Sequence, residues 1–374
     1  MNDFITEALV DEDSFCNFKS DILTLEKAVT RGEKIALYGP RNYGKTSLVK
    51  NIIAQRFKQR HKRCFVFFVD LMELKNLEAL DQRMSRYFES SFVESFPVKS
   101  ILDHIKQFLT SLKPELQIDS LTGQPSLQLG VHPGKQARTT QAIFKTIQEI
   151  SKKIPTLIIL DEFQDIAFIK GAQAEFRTAF QNLNQLPIIV LGSKRHLLTQ
   201  ILAAESAPLA FWGKDLELKP IAYETYHAYI MERFKPRKIR MELEASRYLQ
   251  DKMFRIPESV NTLCLQLIEQ FPHQVITQEK INLALVKLVD QKASRYGSYC
   301  GQFSDIEERV LTATAKLDYV AKPQSKDFIK LASTTARTSG LVFKKLLNKG
   351  VLEKDPQGYR LSDPLFYYFL RTYR

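Results

Sequence analysis

Cysteine is scarce in this chain: four in 374 residues, Cys16, Cys64, Cys264 and Cys300, far apart and with no C-x-x-C pair. That spacing argues against a disulfide framework or a thiolate metal site and suits a reducing compartment. Long apolar runs are missing as well. None reaches the ~18 residues that would span a bilayer, and Met1-Asn2-Asp3-Phe4-Ile5-Thr6-Glu7 is acidic, without the layout of a signal peptide. The expectation is a cytoplasmic chain with no membrane partner. Acid is also in deficit, 42 Asp/Glu against 54 Lys/Arg, for a net charge of +12. An anionic partner would suit that balance, although basic proteins are often simply soluble. The excess is uneven: residues 295–374 hold 14 Lys/Arg and 8 Asp/Glu, half of the net charge. With 44% hydrophobic residues, the chain has enough apolar mass for two or three packed domains.

What is present centres on Gly39-Pro40-Arg41-Asn42-Tyr43-Gly44-Lys45-Thr46-Ser47, which fits G-x-x-x-x-G-K-[ST]. The apolar run Ile35-Ala36-Leu37-Tyr38 precedes it, and Leu48, Val49, Ile52, Ile53 and Phe57 follow at helical spacing. The loop therefore joins a strand to a helix. Its glycines let the backbone wrap phosphates, and the helix N-terminus turns free N–H groups and its dipole toward an anion. Lys45 is placed to reach the β- and γ-phosphates of ATP, and the Thr46 hydroxyl to ligate Mg²⁺.

A second strand, Thr156-Leu157-Ile158-Ile159-Leu160, ends in Asp161-Glu162-Phe163-Gln164. An apolar strand closing on Asp-Glu is the Walker B pattern. It assigns Mg²⁺ to Asp161, with Thr46, and activation of the attacking water to Glu162. A third strand, Pro187 to Leu191, ends in Gly192-Ser193, where a hydroxyl can sense the γ-phosphate. Lys45, Asp161, Glu162 and Ser193 form the expected catalytic set of an ATPase.

Two runs of period-two alternation flank a Gly/Pro turn between 114 and 132, which reads as a β-hairpin inserted into a core of residues 1–221. Residues 222–294 carry helical periodicity throughout and read as a lid. Within it, the basic run from Arg233 to Arg240 reads either as a solvated loop or as a nucleic-acid contact. Residues 295–374 give three helices, the first capped by Ser304-Asp305-Ile306-Glu307, then strand, turn and strand around Asp355-Pro356-Gln357-Gly358. That order is a winged helix-turn-helix. Its third helix carries Arg337, Lys344 and Lys345 and its wing Lys354 and Arg360. These are the candidate contacts to double-stranded DNA. Many winged helices dock proteins instead, and that alternative stays open.

The ordered set resembles the AAA+/STAND-type P-loop ATPases abundant in archaea. The motifs that carry the likeness are Gly-Pro-Arg-x-x-Gly-Lys-Thr-Ser-Leu at 39–48, Leu-Asp-Glu-Phe-Gln at 160–164, Gly-Ser at 192–193 and Leu-Ser-Asp-Pro-Leu at 361–365. The resemblance implies an α/β, RecA-like parallel-sheet core, a helical lid and a C-terminal winged helix, as in origin initiators. It also implies Ser193 as sensor 1 and Pro257 against the adenine. Three places depart from the family pattern: Asn17-Phe18-Lys19, Arg255-Ile256-Pro257 and Trp212-Gly213-Lys214. At the last, Lys214 stands where relatives carry an arginine suited to act in trans, and a point charge replaces a planar fork. The implied function is an ATP/ADP-driven switch whose winged helix engages a partner. The partner is DNA or, in a signalling or defence version, a protein or a second copy of the chain.

Overall fold

The computed structural model describes residues 4–6, 16, 19–96, 114–118, 125–129, 139–183, 185–202, 208–210 and 212–374. Helix α1 (Lys19–Thr30) leads into strand β1 (Lys34–Tyr38). The phosphate-type loop follows, and then helix α2, whose first stretch Ser47–Ile53 is π-helical and whose second is Ala54–Arg60. Next come β2 (Phe65–Asp70), α3 (Leu77–Ser95), the antiparallel pair β3 (Pro114–Ile118) and β4 (Pro125–Leu129), and α4 (Thr139–Ser151). The core closes with β5 (Thr156–Asp161), a 3-10 turn Phe163–Phe168, α5 (Ala172–Asn182), β6 (Ile188–Gly192), α6 (Arg195–Leu202) and β7 (Lys214–Glu217).

The five core strands form one sheet in the order β2-β5-β6-β1-β7, and every pairing in it is parallel. A sheet covered on both faces needs strands that are apolar on both sides, and all six residues of β5 are buried. Leu157 and Ile159 point into one apolar cluster with α1 and α2; Ile158 and Leu160 point into a second with α3, α4 and α5. Parallel register brings the C-terminal ends of β1, β5 and β6 together, with Tyr38 opposite Gly192 and Leu160 opposite Val190. All three sequence motifs therefore meet at one sheet edge.

The lid comprises α7 (Tyr223–Phe234), α8 (Leu243–Lys252), α9 (Pro257–Gln270) and α10 (Gln278–Cys300). It is not purely helical: β8 (Arg240–Met241) and β9 (Val275–Ile276) pair in parallel, each too short for a sequence signal. Helix α10 runs through residues 294–295 without a break. The C-terminal unit is α11 (Asp305–Leu317), α12 (Lys326–Leu331), α13 (Ala336–Lys349), the antiparallel wing β10 (Leu352–Asp355) and β11 (Gly358–Leu361), and α14 (Pro364–Tyr373). Ser304 and Glu307 make the expected capping box on α11. The first apolar cluster continues from the α1–α2 face of the sheet through the lid into this unit, so the three parts share one core. Among the described residues no helix is long and apolar enough to cross a membrane.

Candidate nucleotide-binding site

Gly39 opens the loop under Leu218, whose Cβ would stand 3.3 Å from a Cβ added there. Gly44 closes it at φ +77, a conformation that favours glycine. The loop turns straight into α2, whose first amides face back toward it. Lys45 is buried, and its Nζ donates to the carbonyls of Gly39 at 2.9 Å and Pro40 at 2.7 Å. Burial, opposed by Glu162 and Asp161 and assisted by Arg41, pushes its ammonium down to about 8.

Thr46 Oγ1 donates to Asp161 Oδ2 at 2.6 Å, joining the helix start to the end of β5. Asp161 Oδ1 accepts the Glu162 amide at 2.8 Å. Burial is the main reason the Asp161 carboxyl rises to about 6, and the neighbouring Glu162 charge adds to it while the Thr46 hydroxyl opposes. Glu162 sits in left-handed backbone, φ +48 and ψ +39. A non-glycine residue held there is strained, and such strain gathers at functional sites. The turn swings its side chain to β6, where Oε2 accepts from Ser193 Oγ at 2.8 Å and from Gln164 Nε2. Lys45, Thr46, Asp161, Glu162 and Ser193 thus come together as one cluster.

The sequence reading missed the layer behind them. Lys194 Nζ lies 3.1 Å from Asp165 Oδ1, and Asp165 Oδ2 accepts the Glu73 amide at 3.0 Å. Gln164 is fully buried, and a Cβ on Gly192 would come within 2.7 Å of its Oε1. The signal was available. Gln164 and Asp165 continue the Asp-Glu box, and Gly192 and Lys194 flank Ser193.

Arg41 and Asn42, exposed at the loop tip, open onto a cleft of about 610 Å³ between the loop, the lid and the winged helix. Its lid wall is formed by Ile256, Glu258, Ser259 and Thr262 around the start of α9 and by α10 residues that include Tyr296 and Tyr299. Pro257 is not part of that wall; it starts α9, and its carbonyl accepts the Tyr226 hydroxyl at 2.9 Å. Tyr43 of the loop is buried, and Glu353 and Arg360 of the wing act on its hydroxyl. The Asp-Pro-Leu motif has a structural explanation. Asp363 caps α14 through the amides of Leu365 and Phe366 and accepts the Tyr296 hydroxyl at 2.9 Å, fastening α14 to α10.

The winged-helix candidates divide. Arg337, Lys344 and Lys354 are exposed. Lys345 is exposed too, but its Nζ lies 2.9 Å from Glu307, which is buried. Arg360 is turned inward: it donates to Glu353 at 2.5 Å and to the Tyr319 hydroxyl at 2.8 Å, and stacks 4.8 Å over Phe254. Its charge is engaged by Glu353 within the wing and by aromatic rings of the lid and the winged-helix unit, which argues against its reading as a nucleic-acid contact. In the lid's basic run, Arg233 is likewise buried, 3.5 Å over the Tyr229 ring. Lys214 sits at the opposite end of the sheet from the loop, 2.8 Å from Glu33.

An ATPase domain family found predominantly in Archaea matches residues 15–238. The chain belongs to that family. A winged helix domain family matches residues 294–372 of this archaeal-type ATPase. An uncharacterised ATP-binding protein of Methanocaldococcus jannaschii is 25% identical over 173 residues, 43% of this chain and 46% of the relative. The match thus spans about half of that protein. Among solved structures, the Walker-type ATPase of Pyrococcus abyssi superposes with a TM-score of 0.66 at 17% identity, over 98% of this chain and 99% of its own. The ORC1 protein of Aeropyrum pernix, solved in complex with DNA, gives 0.52 at 10% identity over 98% and 94%. At such identities the likeness is one of fold alone: a parallel-sheet core carrying a C-terminal winged helix.

Proposed function

We propose that this archaeal-type ATPase is a switch driven by Mg²⁺-dependent ATP hydrolysis, and that its winged helix carries the output. The observation that carries the reading is the Thr46–Asp161 contact beside Lys45, with Glu162 held next to it by Ser193. The residues suit a nucleoside triphosphate and a divalent cation. The Lys45 ammonium is buried and spends its hydrogen bonds on two backbone carbonyls, and burial lifts the Asp161 carboxyl to about 6, so both charges are poorly compensated in the ligand-free chain. Lys45 and the backbone of residues 39–47 would hold the phosphates, and Thr46 and Asp161 the metal. When bound, ATP supplies the phosphoanhydride, and Mg²⁺ neutralises the charge that develops on it. Ser193 and Gln164 both donate to Oε2 of Glu162 and orient the carboxylate, leaving Oε1 to take a proton from water.

Glu162→Gln tests this division of roles. Nucleotide affinity should hold within about threefold, while phosphate release falls by roughly 10²–10⁴. An affinity loss as large as the turnover loss would place Glu162 among the metal ligands instead.

For the output, the positive C-terminal unit favours an anionic partner; in the DNA reading Arg337, Lys344 and Lys354 would meet the duplex. A second reading, protein docking, is favoured by one observation. The α13 face with Leu341, Lys344 and Asn348 opens onto Phe168 of the core, and Asn348 Oδ1 lies 3.2 Å from His196 Nε2. Entry of α13 into a major groove requires that face to leave the core; docking of a protein segment does not. A duplex shift assay at two salt concentrations, with and without ATP, separates the two readings.

A further inference from the structure

On the far side of α13 from the winged-helix core, a groove of about 410 Å³ runs between that helix and the 3-10 turn that follows β5. Its apolar walls are Phe168, 50% exposed, and Leu341, 62% exposed. Single exposed apolar residues are ordinary, but two large ones facing across one groove, rimmed by polar side chains, mark an interaction surface. The charged rim is wholly cationic: Lys344, Lys345 and Lys349. Nearby acids are buried and engaged, Glu307 by Lys345 and Lys349, and Asp165 by Lys194, whose Nζ also sits 5.6 Å from the Phe168 ring. Lys344 makes no ion pair among the described residues.

We propose that this groove docks an acidic amphipathic segment of a partner protein, with one large apolar side chain seated between Phe168 and Leu341 and flanking carboxylates on Lys344. Charge complementarity selects the occupant: the rim offers positive charge, and the walls offer apolar surface that a phosphate backbone does not use. The walls also belong to two different units, so an occupant bridges the ATPase core and the winged helix. Phe168 ends the 3-10 turn that Glu162 immediately precedes, and Lys194 follows Ser193, so occupancy bears on residues that touch the hydrolytic carboxylate. Only this last consequence rests on the switch reading; docking itself needs no hydrolysis.

The test pans the full-length chain, without nucleotide, against a display library of random peptides about 14 residues long, a span that covers such a groove. Enriched peptides should carry Leu, Phe or Trp flanked by Asp or Glu. Their affinity should fall about tenfold or more in Leu341→Asp and in Phe168→Asp, as for an anchor residue, and fall with added salt. Leu341 is exposed and lies away from the strand-end cluster, so the melting temperature and basal phosphate release of Leu341→Asp should match the parent chain. A selection with no acidic consensus, or peptides that bind Leu341→Asp as tightly as the parent, would overturn the proposal. So would a duplex of ~20 base pairs that displaces the peptides and loses its own binding in Leu341→Asp, since the groove would then belong to nucleic acid.

Discussion

The C-terminal ends of the core strands and the surface of the winged helix were both marked in the sequence by polar residues, yet the structure uses those residues differently. At the strand ends, Thr46, Asp161, Glu162 and Ser193 come from three separated segments and join in one run of hydrogen bonds, with Lys45 close enough for Glu162 and Asp161 to act on its charge. In the winged helix, Arg360 and Lys345 are drawn into pairs with Glu353 and Glu307, while Lys344 remains open to solvent. The contrast arises because the first set is placed by backbone. A strand end and a helix start fix where each side chain begins, and parallel register fixes which strand ends are neighbours. A lysine on a helix surface has only its charge, and any nearby carboxylate can claim it. The geometry of the strand-end cluster is therefore legible from spacing. The partners of charged residues on a helix surface are not.

The change that breaks the comparison most sharply is Lys45→Ala. It removes the only lysine of the loop, and nucleotide affinity or turnover should fall by two orders of magnitude or more, about 3 kcal/mol. The fold should survive, because a buried ammonium held by two carbonyls adds little stability. Calorimetric titration with ATP alongside a melting curve checks both halves. Turnover unchanged from the parent chain would place the chemistry away from the loop.

Parts of the structure that escaped the sequence did so for identifiable reasons. The Glu353–Arg360 pair was within reach: a two-residue turn at Pro356-Gln357 sets Glu353 directly opposite Arg360, and opposite charges across strands pair. The Lys345–Glu307 pair was not, because it depends on how α13 packs on α11. The same holds for the His196–Asn348 contact, which joins residues 152 apart in sequence and exists only once the winged helix has settled against the core. Pro257 shows a further limit. Its place at the start of α9 was legible from the chain, but the neighbours Ile256 and Glu258, not Pro257, line the cleft.

A second effect, of about 2 kcal/mol, sharpens the account of the strand-end site. In the ligand-free chain the Asp161 carboxyl rises from 3.8 to about 6, mainly by burial. The folded state then holds this proton more tightly than the unfolded state does. Its favourable contribution is complete below about pH 4 and is lost as pH rises through about 6. Asp161→Asn keeps an oxygen to accept the Thr46 hydroxyl and removes the titration. The variant should therefore gain stability over the parent between about pH 4.5 and 7.5, by roughly 2 kcal/mol. Parallel denaturation curves at the two pH values, without nucleotide or Mg²⁺, measure it. A stability difference that does not change with pH would mean Asp161 is solvated better than its burial implies.

The smallest effects separate two adjacent lysines of α13. Lys345 compensates Glu307, whose carboxyl would be raised by burial but is brought down to about 2 by the Ser304 amide and hydroxyl and by Lys345. Lys345→Ala leaves that buried carboxylate with Ser304 and the more distant Lys349, at 3.8 Å, and should cost about 1 kcal/mol. Lys344→Ala touches nothing comparable and should change stability by less than about 0.5 kcal/mol. In binding the order should reverse. Lys344 is the open cation of the pair, so its loss should weaken an anionic partner and flatten the salt dependence, by about one counterion's slope if that partner is duplex DNA. Lys345→Ala should leave the slope nearly unchanged, since its charge already faces a carboxylate. Urea denaturation of both variants, paired with binding at two salt concentrations, gives the four values needed. Equal stability losses in the two would mean that Glu307 does not depend on Lys345, and the division between structural and available charge on this helix would fail.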